Sequence, residues 1–339
     1  MGVGLAPILV KHERSLDELK GKYAVDAFNT LYQFLTTIRQ RDGTPLMDSR
    51  GRITSHLSGL FYRTTSLLER GIQPIYVFDG EPFELKKRTH EERHARKVVA
   101  EEKLSKAREA GIEEDVLKFS KQTVRLTGEQ VDESKTLLHA MGIPIIQAPS
   151  EGEAQCADMC KQGLVQAAAS QDTDTIVFGT PRLIKNLTIA GKKRGPRGGV
   201  QVEVVPEEII LEENLRAMNI THEKLIWLAI LVGTDFNAGI HGIGPKKGLK
   251  LVQKHDSMHA ILNELGQTLD HEAIEKFFKH PPLAKVTKED VRFQQPQKDK
   301  ILEFMCDEHD FSKERIESAL ERAFKIPVGS EQSGLQKWF

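Results

Sequence analysis

The sequence is short of cysteine, of aromatic residues, of net charge and of long apolar runs, and each shortage removes a class of protein. Three cysteines among 339 residues, Cys156, Cys160 and Cys306, cannot build a disulfide framework. Cys156 and Cys160 stand four apart on an expected helix with no second ligand pair nearby, which argues for small core residues in a reducing compartment rather than a zinc site. No stretch of about 18 apolar residues exists, so no membrane-spanning helix is expected. The first residues, Met1-Gly-Val-Gly-Leu-Ala6, have no basic segment ahead of an apolar one, so no secretion signal is expected. Ala6 also stands where a myristoylation motif requires Ser or Thr. An intracellular protein with no membrane partner is the expectation. The formal charge of -1, from 48 Lys+Arg against 49 Asp+Glu, excludes a wholesale polycation and, taken alone, weighs against a nucleic-acid binder.

What is present is a folded chain, 39% apolar with charge balanced in sign, long enough for one large domain or two. Four short apolar runs stop at acids: Tyr23-Ala-Val-Asp26, Ile75-Tyr-Val-Phe-Asp79, Ile143-Pro-Ile-Ile-Gln-Ala-Pro-Ser-Glu151 and Gln166-Ala-Ala-Ala-Ser-Gln-Asp172. Such runs, each followed by a helical stretch, predict buried strands of a mostly parallel central sheet flanked by helices, an α/β fold. From Lys86 to about Met141 the sequence reads as helix, broken at Gly111 and Gly128 and crowded with charge up to Arg108. That excursion is either a solvated helical face or an arch over an active site. Gly191 to Gly199 reads as a basic hairpin, Val200 to Val205 as a short strand, and a helix is expected from about Pro206. Leu225 to Val232 reads as helix, as does the remainder to about Lys325 apart from a break at Pro281-Pro282, with a flexible tail after it.

Ligands bind outside the carboxyl ends of strands in open parallel sheets, so this fold gathers Asp26, Asp79, Glu151, Glu153, Asp172 and Asp174 in one crevice, with Asp235 able to join them. Seven converging carboxylates repel one another unless cations neutralise them. Hard divalent ions suit oxygen ligands, and Mg²⁺ takes only one or two carboxylates directly, so seven exceed the need of one ion. Two ions about 4 Å apart form the arrangement that cleaves phosphodiesters. Any single acid could instead be a helix cap. Asp172-Thr-Asp174-Thr175 also fits the Asp-x-Asp-x-Thr of phosphatases that form an aspartyl-phosphate.

Gly239-Ile-His-Gly242-Ile-Gly244-Pro-Lys246-Lys247-Gly248 reads as a glycine-rich turn opening a helix, able to anchor a phosphate backbone. It lies in a stretch with no acid between Asp235 and Asp256. A helix-packing element is its plainer reading. Lys86 and Arg93, seven apart, would share one helical face and could hold a scissile phosphate, and Tyr32 could stack a base. At the end, Gln332-Ser-Gly-Leu335-Gln-Lys-Trp338-Phe339 puts apolar side chains on a polar tail, where they mark a partner site. Its Gln-x-x-Leu-x-x-Trp-Phe pattern matches the short box by which replication proteins dock on the sliding clamp (PCNA); a terminal helix folded back on its own domain is the alternative.

Together these segments resemble the flap endonucleases of the structure-specific 5′ nuclease superfamily over nearly the whole chain. The resemblance rests on Ala24-Val-Asp26-Ala, Tyr76-Val-Phe-Asp79-Gly, Ala148-Pro-Ser-Glu151-Gly-Glu153-Ala, Gln171-Asp172-Thr-Asp174, Gly233-Thr-Asp235 and Gly242-Ile-Gly-Pro-Lys-Lys247 in this order. It implies a Mg²⁺-dependent phosphodiester hydrolase, with Mn²⁺ as a substitute, that cuts branched duplex DNA at the base of a 5′ flap. It also implies 5′-to-3′ exonuclease activity and a ligatable nick in lagging-strand replication and base excision repair. Asp26, Asp79, Glu151 and Glu153 would then serve one ion, directly or through water, and Asp172, Asp174 and Asp235 the other. Lys86 and Arg93 look like the arch cations and Tyr32 like the stacking residue. The glycine-lysine turn resembles a helix-two-turn-helix that grips duplex and binds K⁺, while Arg39, Arg63 and Lys185 match backbone-contacting positions. Gly2 matches a residue whose freed amine lies near the site, implying removal of Met1. The chain ends at the clamp box without a long basic tail, which suggests an archaeal type, cytoplasmic or at the nucleoid, a monomer docking on the trimeric clamp. The expected organisation is a nuclease region over 1–98, the rest of the arch over 99–115, an internal nuclease region over 116–258 with the two-turn element at about 235–255, a helical region over 259–326, and the tail from 327 to 339.

Overall fold

The structure is a computed structural model of the chain, described here for residues 3–40, 42–86, 99–107, 113–194 and 201–324. Its nine strands among these residues are β1 His12–Glu13, β2 Gly21–Asp26, β3 Ile72–Phe78, β4 Ile145–Gln147, β5 Ala167–Ala169, β6 Arg182–Lys185, β7 Gly191–Arg194, β8 Gln201–Val204 and β9 Glu207–Ile210. Seven form one sheet in the order β1-β9-β6-β5-β2-β3-β4, and β7 and β8 form a separate antiparallel hairpin. The four acid-terminated runs supply β2, β3, β4 and β5. Every residue of β3 is buried, and β2 is buried from Tyr23 to Asp26, as expected where helices cover both faces of a sheet. β5 is three alanines, paired in parallel with Tyr23, Ala24 and Val25 of β2 and with β6 on its other side.

Three expectations need correction. The break expected at Pro281-Pro282 runs on to Gln297, and the described residues between Lys279 and Lys298 form no helix. The run from Ile143 to Glu151 is strand only over Ile145–Gln147, because Pro144 and Pro149 flank it and cannot donate to a ladder. The helix expected from Pro206 starts at Leu211; Glu207–Ile210 instead extends as β9, pairing antiparallel with β6 and β1. Its acids satisfy cross-strand cations, Glu208 accepting from Arg14 and from Arg182, which the charge pattern alone does not reveal.

The chain divides into two compact units. One comprises Met1–Asp26, Val77–Thr89 and Gln147–Lys285; the other comprises Ala27–Tyr76, His90–Ile146 and Val286–Phe339. The first contains β1, β2, β5, β6 and β9 and the helices Gly152–Lys161, His222–Val232, Pro245–Lys254 and Glu272–Lys279. An aromatic cluster of Phe83, Phe178, Phe236, Phe277 and Phe278 holds its distal parts together, with Phe83 stacked on Phe277 at 4.0 Å between centroids. Only 6% of the chain is aromatic, and five of those residues are spent at this point.

The second unit is built on the helices Ala27–Thr37, Ser55–Glu69, Gly128–Ala140 and Lys313–Phe324. The helices of 27–37 and 55–69 approach closely at Gly59, where a Cβ would fall 2.3 Å from the Phe34 ring. A polar clasp joins three elements: Glu133 accepts from His56 Nε2 at 2.9 Å and faces His309 Nε2 at 3.1 Å. His309 Nδ1 lies 2.7 Å from the Phe304 carbonyl. Both ring nitrogens of His309 therefore face acceptors, an arrangement that only the doubly protonated imidazolium satisfies. Thr127 opens the 128–140 helix with a reciprocal capping box to Gln130. Among the described residues no helix is long and apolar enough to cross a membrane.

Candidate active site

All seven carboxylates singled out in the sequence belong to the first unit. Asp26 ends β2, Asp79 follows β3, Glu151 is the N-cap of the helix Gly152–Lys161 with Glu153 in its first turn, and Asp174 opens the single turn Asp174–Val177 after β5. Asp235 stands in a tight turn after the helix His222–Val232, held by Thr234 and Asn237: Thr234 donates to Asn237 Oδ1 at 2.8 Å, and Asn237 Nδ2 donates to the Ile230 carbonyl at 2.8 Å. Gly233 and Gly239 close that turn at φ of 108° and 73°, the region that glycine enters without strain.

Local contacts aim the acids. The Gly152 N–H donates to Asp79 Oδ1 at 2.7 Å, so a helix N-terminus receives that carboxylate. Gln147 Nε2 donates to the Asp79 carbonyl at 2.7 Å, and Gly80 N donates to the Ser150 carbonyl at 2.7 Å. Asp174 Oδ1 accepts from the Val3 N–H at 2.5 Å, while Thr173 Oγ1 returns a bond to the Val3 carbonyl at 2.6 Å. The start of the chain is thereby stitched to the acidic turn. These supports, and Ser170 below, were not anticipated from sequence, since their partners lie up to 171 positions away.

The electrostatics are those of a site that wants cations. Burial, then the neighbouring Glu151, push Asp79 up to about 6. Burial and the charges of Asp235 and Asp172 push Asp174 up to about 7 against the Val3 hydrogen bond. Burial, together with Asp174, Asp172 and Asp26, raises Glu153. Lys86, in the turn Glu84–Lys86, brings its ammonium 2.5 Å from Glu151 Oε2 and 4.0 Å from Asp235 Oδ2. Burial works against that charge, yet Glu151, Asp79 and Asp235 outweigh it and raise the lysine's pKa. The donor set is all oxygen, Asp79, Glu153 and Asp174 disfavour their own charge, and the Lys86 ammonium is drawn in among the acids; all three observations fit hard divalent ions. Among the described residues no three His, Cys, Asp or Glu groups are disposed to hold one metal ion together, which is compatible with Mg²⁺ keeping several waters.

The remaining sequence candidates fall as follows. Arg93 and the tail residues Gln332, Leu335, Trp338 and Phe339 lie outside the described residues, so a helical face shared by Lys86 and Arg93 does too. Tyr32, on the helix Ala27–Thr37 of the second unit, is 37% exposed. Arg39 commits its guanidinium to main-chain carbonyls of Leu35, Gly43 and Ser120. Arg63 sits within the helix Ser55–Glu69, where burial lowers its pKa. Lys185, on β6, is likewise lowered by burial, although Asp172, Glu207 and Glu153 pull it the other way. Gly242, Gly244, Lys246 and Lys247 are exposed at the mouth of the helix Pro245–Lys254, which Pro245 starts at its first position and Gly244 caps. No Cβ at Gly242 or Gly244 would meet another atom within 4 Å; open backbone here suits approach by a ligand.

Acids gathered beyond the carboxyl ends of parallel strands, with an ammonium among them, fit the class of hydrolases that handle phosphate esters with hard cations. Known proteins narrow that class. The XPG N-terminal domain matches residues 1–100 and the XPG I-region residues 142–235. Flap endonuclease 1 of Pyrococcus furiosus is 51% identical over 100% of this chain and 99% of its own length, and that of Archaeoglobus fulgidus 48% identical over the full length of both. Among solved structures, the flap endonuclease-1 from Methanococcus jannaschii superposes with a TM-score of 0.75 at 39% identity, covering 95% of this chain and 98% of that one. The catalytic core of Rad2 in complex with DNA substrate shares the fold at a TM-score of 0.66 and 23% identity, over 95% of this chain and all of that one. The chain belongs to the flap endonuclease 1 family of nucleases.

Proposed function

We propose that this chain cleaves branched duplex DNA at the base of a 5′ flap, with two Mg²⁺ ions bound by the seven carboxylates. The observation that carries the reading is the concentration of Asp26, Asp79, Glu151, Glu153, Asp172, Asp174 and Asp235 in one compact unit, with Asp79, Glu153 and Asp174 raised first by burial and then by neighbouring acids. Bound Mg²⁺ supplies a nucleophile at neutral pH and stabilises charge on the attacking and leaving oxygens. The chain's own part is to hold and exclude. Asp79 is fixed by the Gly152 N–H and Asp174 by the Val3 N–H. The Lys86 ammonium, paired with Glu151, would pass to a non-bridging oxygen of the scissile phosphate. The family resemblance assigns Arg93 the role of a second cation for the phosphate and Tyr32 that of a base-stacking residue.

Substrate is read by shape: Gly242, Gly244, Lys246 and Lys247 grip duplex backbone, with K⁺ at that turn, and Lys185, Arg63 and Arg39 add contacts. Gln332, Leu335, Trp338 and Phe339 dock a monomer on the trimeric sliding clamp. Asp174→Ala should lower cleavage of a labelled 5′ flap at least a hundredfold while leaving flap binding within a fewfold of wild type; retained cleavage defeats the two-metal reading. Running flap, blunt duplex, RNA–DNA hybrid and single strand side by side separates flap cutting from 5′ exonuclease action. Turnover of an aryl phosphate with formation of a labile aspartyl-phosphate would point to the phosphatase alternative.

A further inference from the structure

Ser170 follows directly on β5 and is 7% exposed. Its hydroxyl oxygen lies 3.1 Å from Asp26 Oδ2 and 3.2 Å from Glu153 Oε1, and it accepts the Asp172 N–H at 3.1 Å. One small side chain thus touches three of the seven acids, which arrive from three separate places: the end of β2, the first turn of the 152–161 helix, and the turn after β5. A hydroxyl has one hydrogen to give. Two carboxylate oxygens at nearly equal distance compete for it, while the Asp172 N–H pins the oxygen in place.

Resting on the metal reading above, we infer that Ser170 is a positioning residue for the metal centre, a shared donor that keeps Asp26 and Glu153 in register with Asp172. The consequence is directional. Whichever of the two carboxylates commits its charge to a cation releases the hydroxyl hydrogen to the other, so the pair can load a metal without either acid swinging away. With Ser170 absent, Asp26 and Glu153 lose the hydroxyl hydrogen they share, and the Asp172 N–H loses this acceptor. Residues that orient metal ligands in this way are typically worth about ten- to a hundredfold in metal affinity.

The test measures Mn²⁺ binding to the DNA-free protein by electron paramagnetic resonance, alongside the half-saturating Mg²⁺ for flap cleavage, flap affinity in Ca²⁺, and the metal-free melting temperature. Ser170→Ala should weaken Mn²⁺ binding and raise half-saturating Mg²⁺ about tenfold or more, with melting temperature and flap affinity near wild type; Ser170→Thr, which restores the hydroxyl, should recover most of the loss. A merely structural serine would move the melting temperature and leave the metal dependence alone. If Ser170→Ala does not fold, Ser170→Cys keeps the size but donates weakly, and it should show the same direction of change. Mn²⁺ affinity of a folded Ala or Cys variant within about twofold of wild type overturns this inference alone. A wild-type chain that binds no Mn²⁺ overturns the metal reading and the inference with it.

Discussion

At Gly152 a helix begins against a carboxylate with no room for a methyl group. A Cβ there would fall 2.5 Å from Asp79 Oδ1, closer than real Cβ contacts allow. Alanine ordinarily favours a helix by about 1 kcal/mol over glycine, so on propensity alone Gly152→Ala would stabilise. The contact reverses that sign by pushing Asp79 off the N–H that holds it. Misplacing a reacting group by about 1 Å costs about a hundredfold, and single-turnover cleavage by Gly152→Ala should fall by about ten- to a hundredfold with flap binding retained; unchanged turnover would mean that Asp79 has slack. The seven acids themselves were legible in the sequence because each closes a buried run or a glycine turn. Their supports were not. Ser170, Thr173, Val3 and Gln147 are ordinary polar or apolar residues whose meaning comes from partners 17 to 171 positions away, and no local pattern encodes such pairings.

Between elements, the clasp of His56, Glu133 and His309 makes a prediction about pH. Burial works to raise Glu133, but hydrogen bonds from His309 and His56 prevail and hold it down to about 2. Burial works to lower His309, but its bonds to Glu133 and to the Phe304 carbonyl prevail and raise it. A depressed acid contributes stability above its unfolded value near 4.5, lost as pH falls through about 2; a raised histidine contributes fully below about 6.5, lost as pH climbs through its elevated value. Both contributions stand together only between about pH 4.5 and 6.5. Glu133→Gln should therefore lower the melting temperature most at about pH 5 to 6, by a few degrees, with the gap to wild type narrowing as pH rises; a constant gap would show that the ion pair adds nothing. At this scale the sequence showed β2 and β3 plainly, since both are unbroken apolar runs. It missed β1, β6 and β9, which are only two to four residues long and mix charged ends with at most two adjacent buried residues, too short a stretch for a period to register.

For the whole molecule, a formal charge of -1 proves to be an average over opposites. With the seven pit carboxylates neutralised by cations the same count stands at +6, and Lys246, Lys247 and Lys250 project from an acid-free helix start. Binding of a flap substrate should therefore weaken steeply with salt, as for a basic protein. Replacing Lys246 and Lys247 together by alanine should reduce the slope of log K against log salt by about 2 and weaken all flap sequences alike. Fluorescence anisotropy over about 50–200 mM KCl reads both quantities, and an unchanged slope would remove this helix from the DNA interface.

The pairing of β2 with β5 joins Tyr23 to Ala167, and that span has a consequence for how the protein is made. At about 5–20 residues per second of synthesis, β2 waits roughly seven to thirty seconds for its neighbour to be made. Asp26 and Asp79 are made early, yet Glu153, Asp172, Asp174 and Asp235 all come later, as do the phenylalanines of Glu272–Lys279 that pack beside the Asp235 turn. A chain made only as far as Gln147 carries two of the seven acids, Asp26 and Asp79. The acidic cluster is therefore complete only once Asp235, in the last third of the chain, has been made.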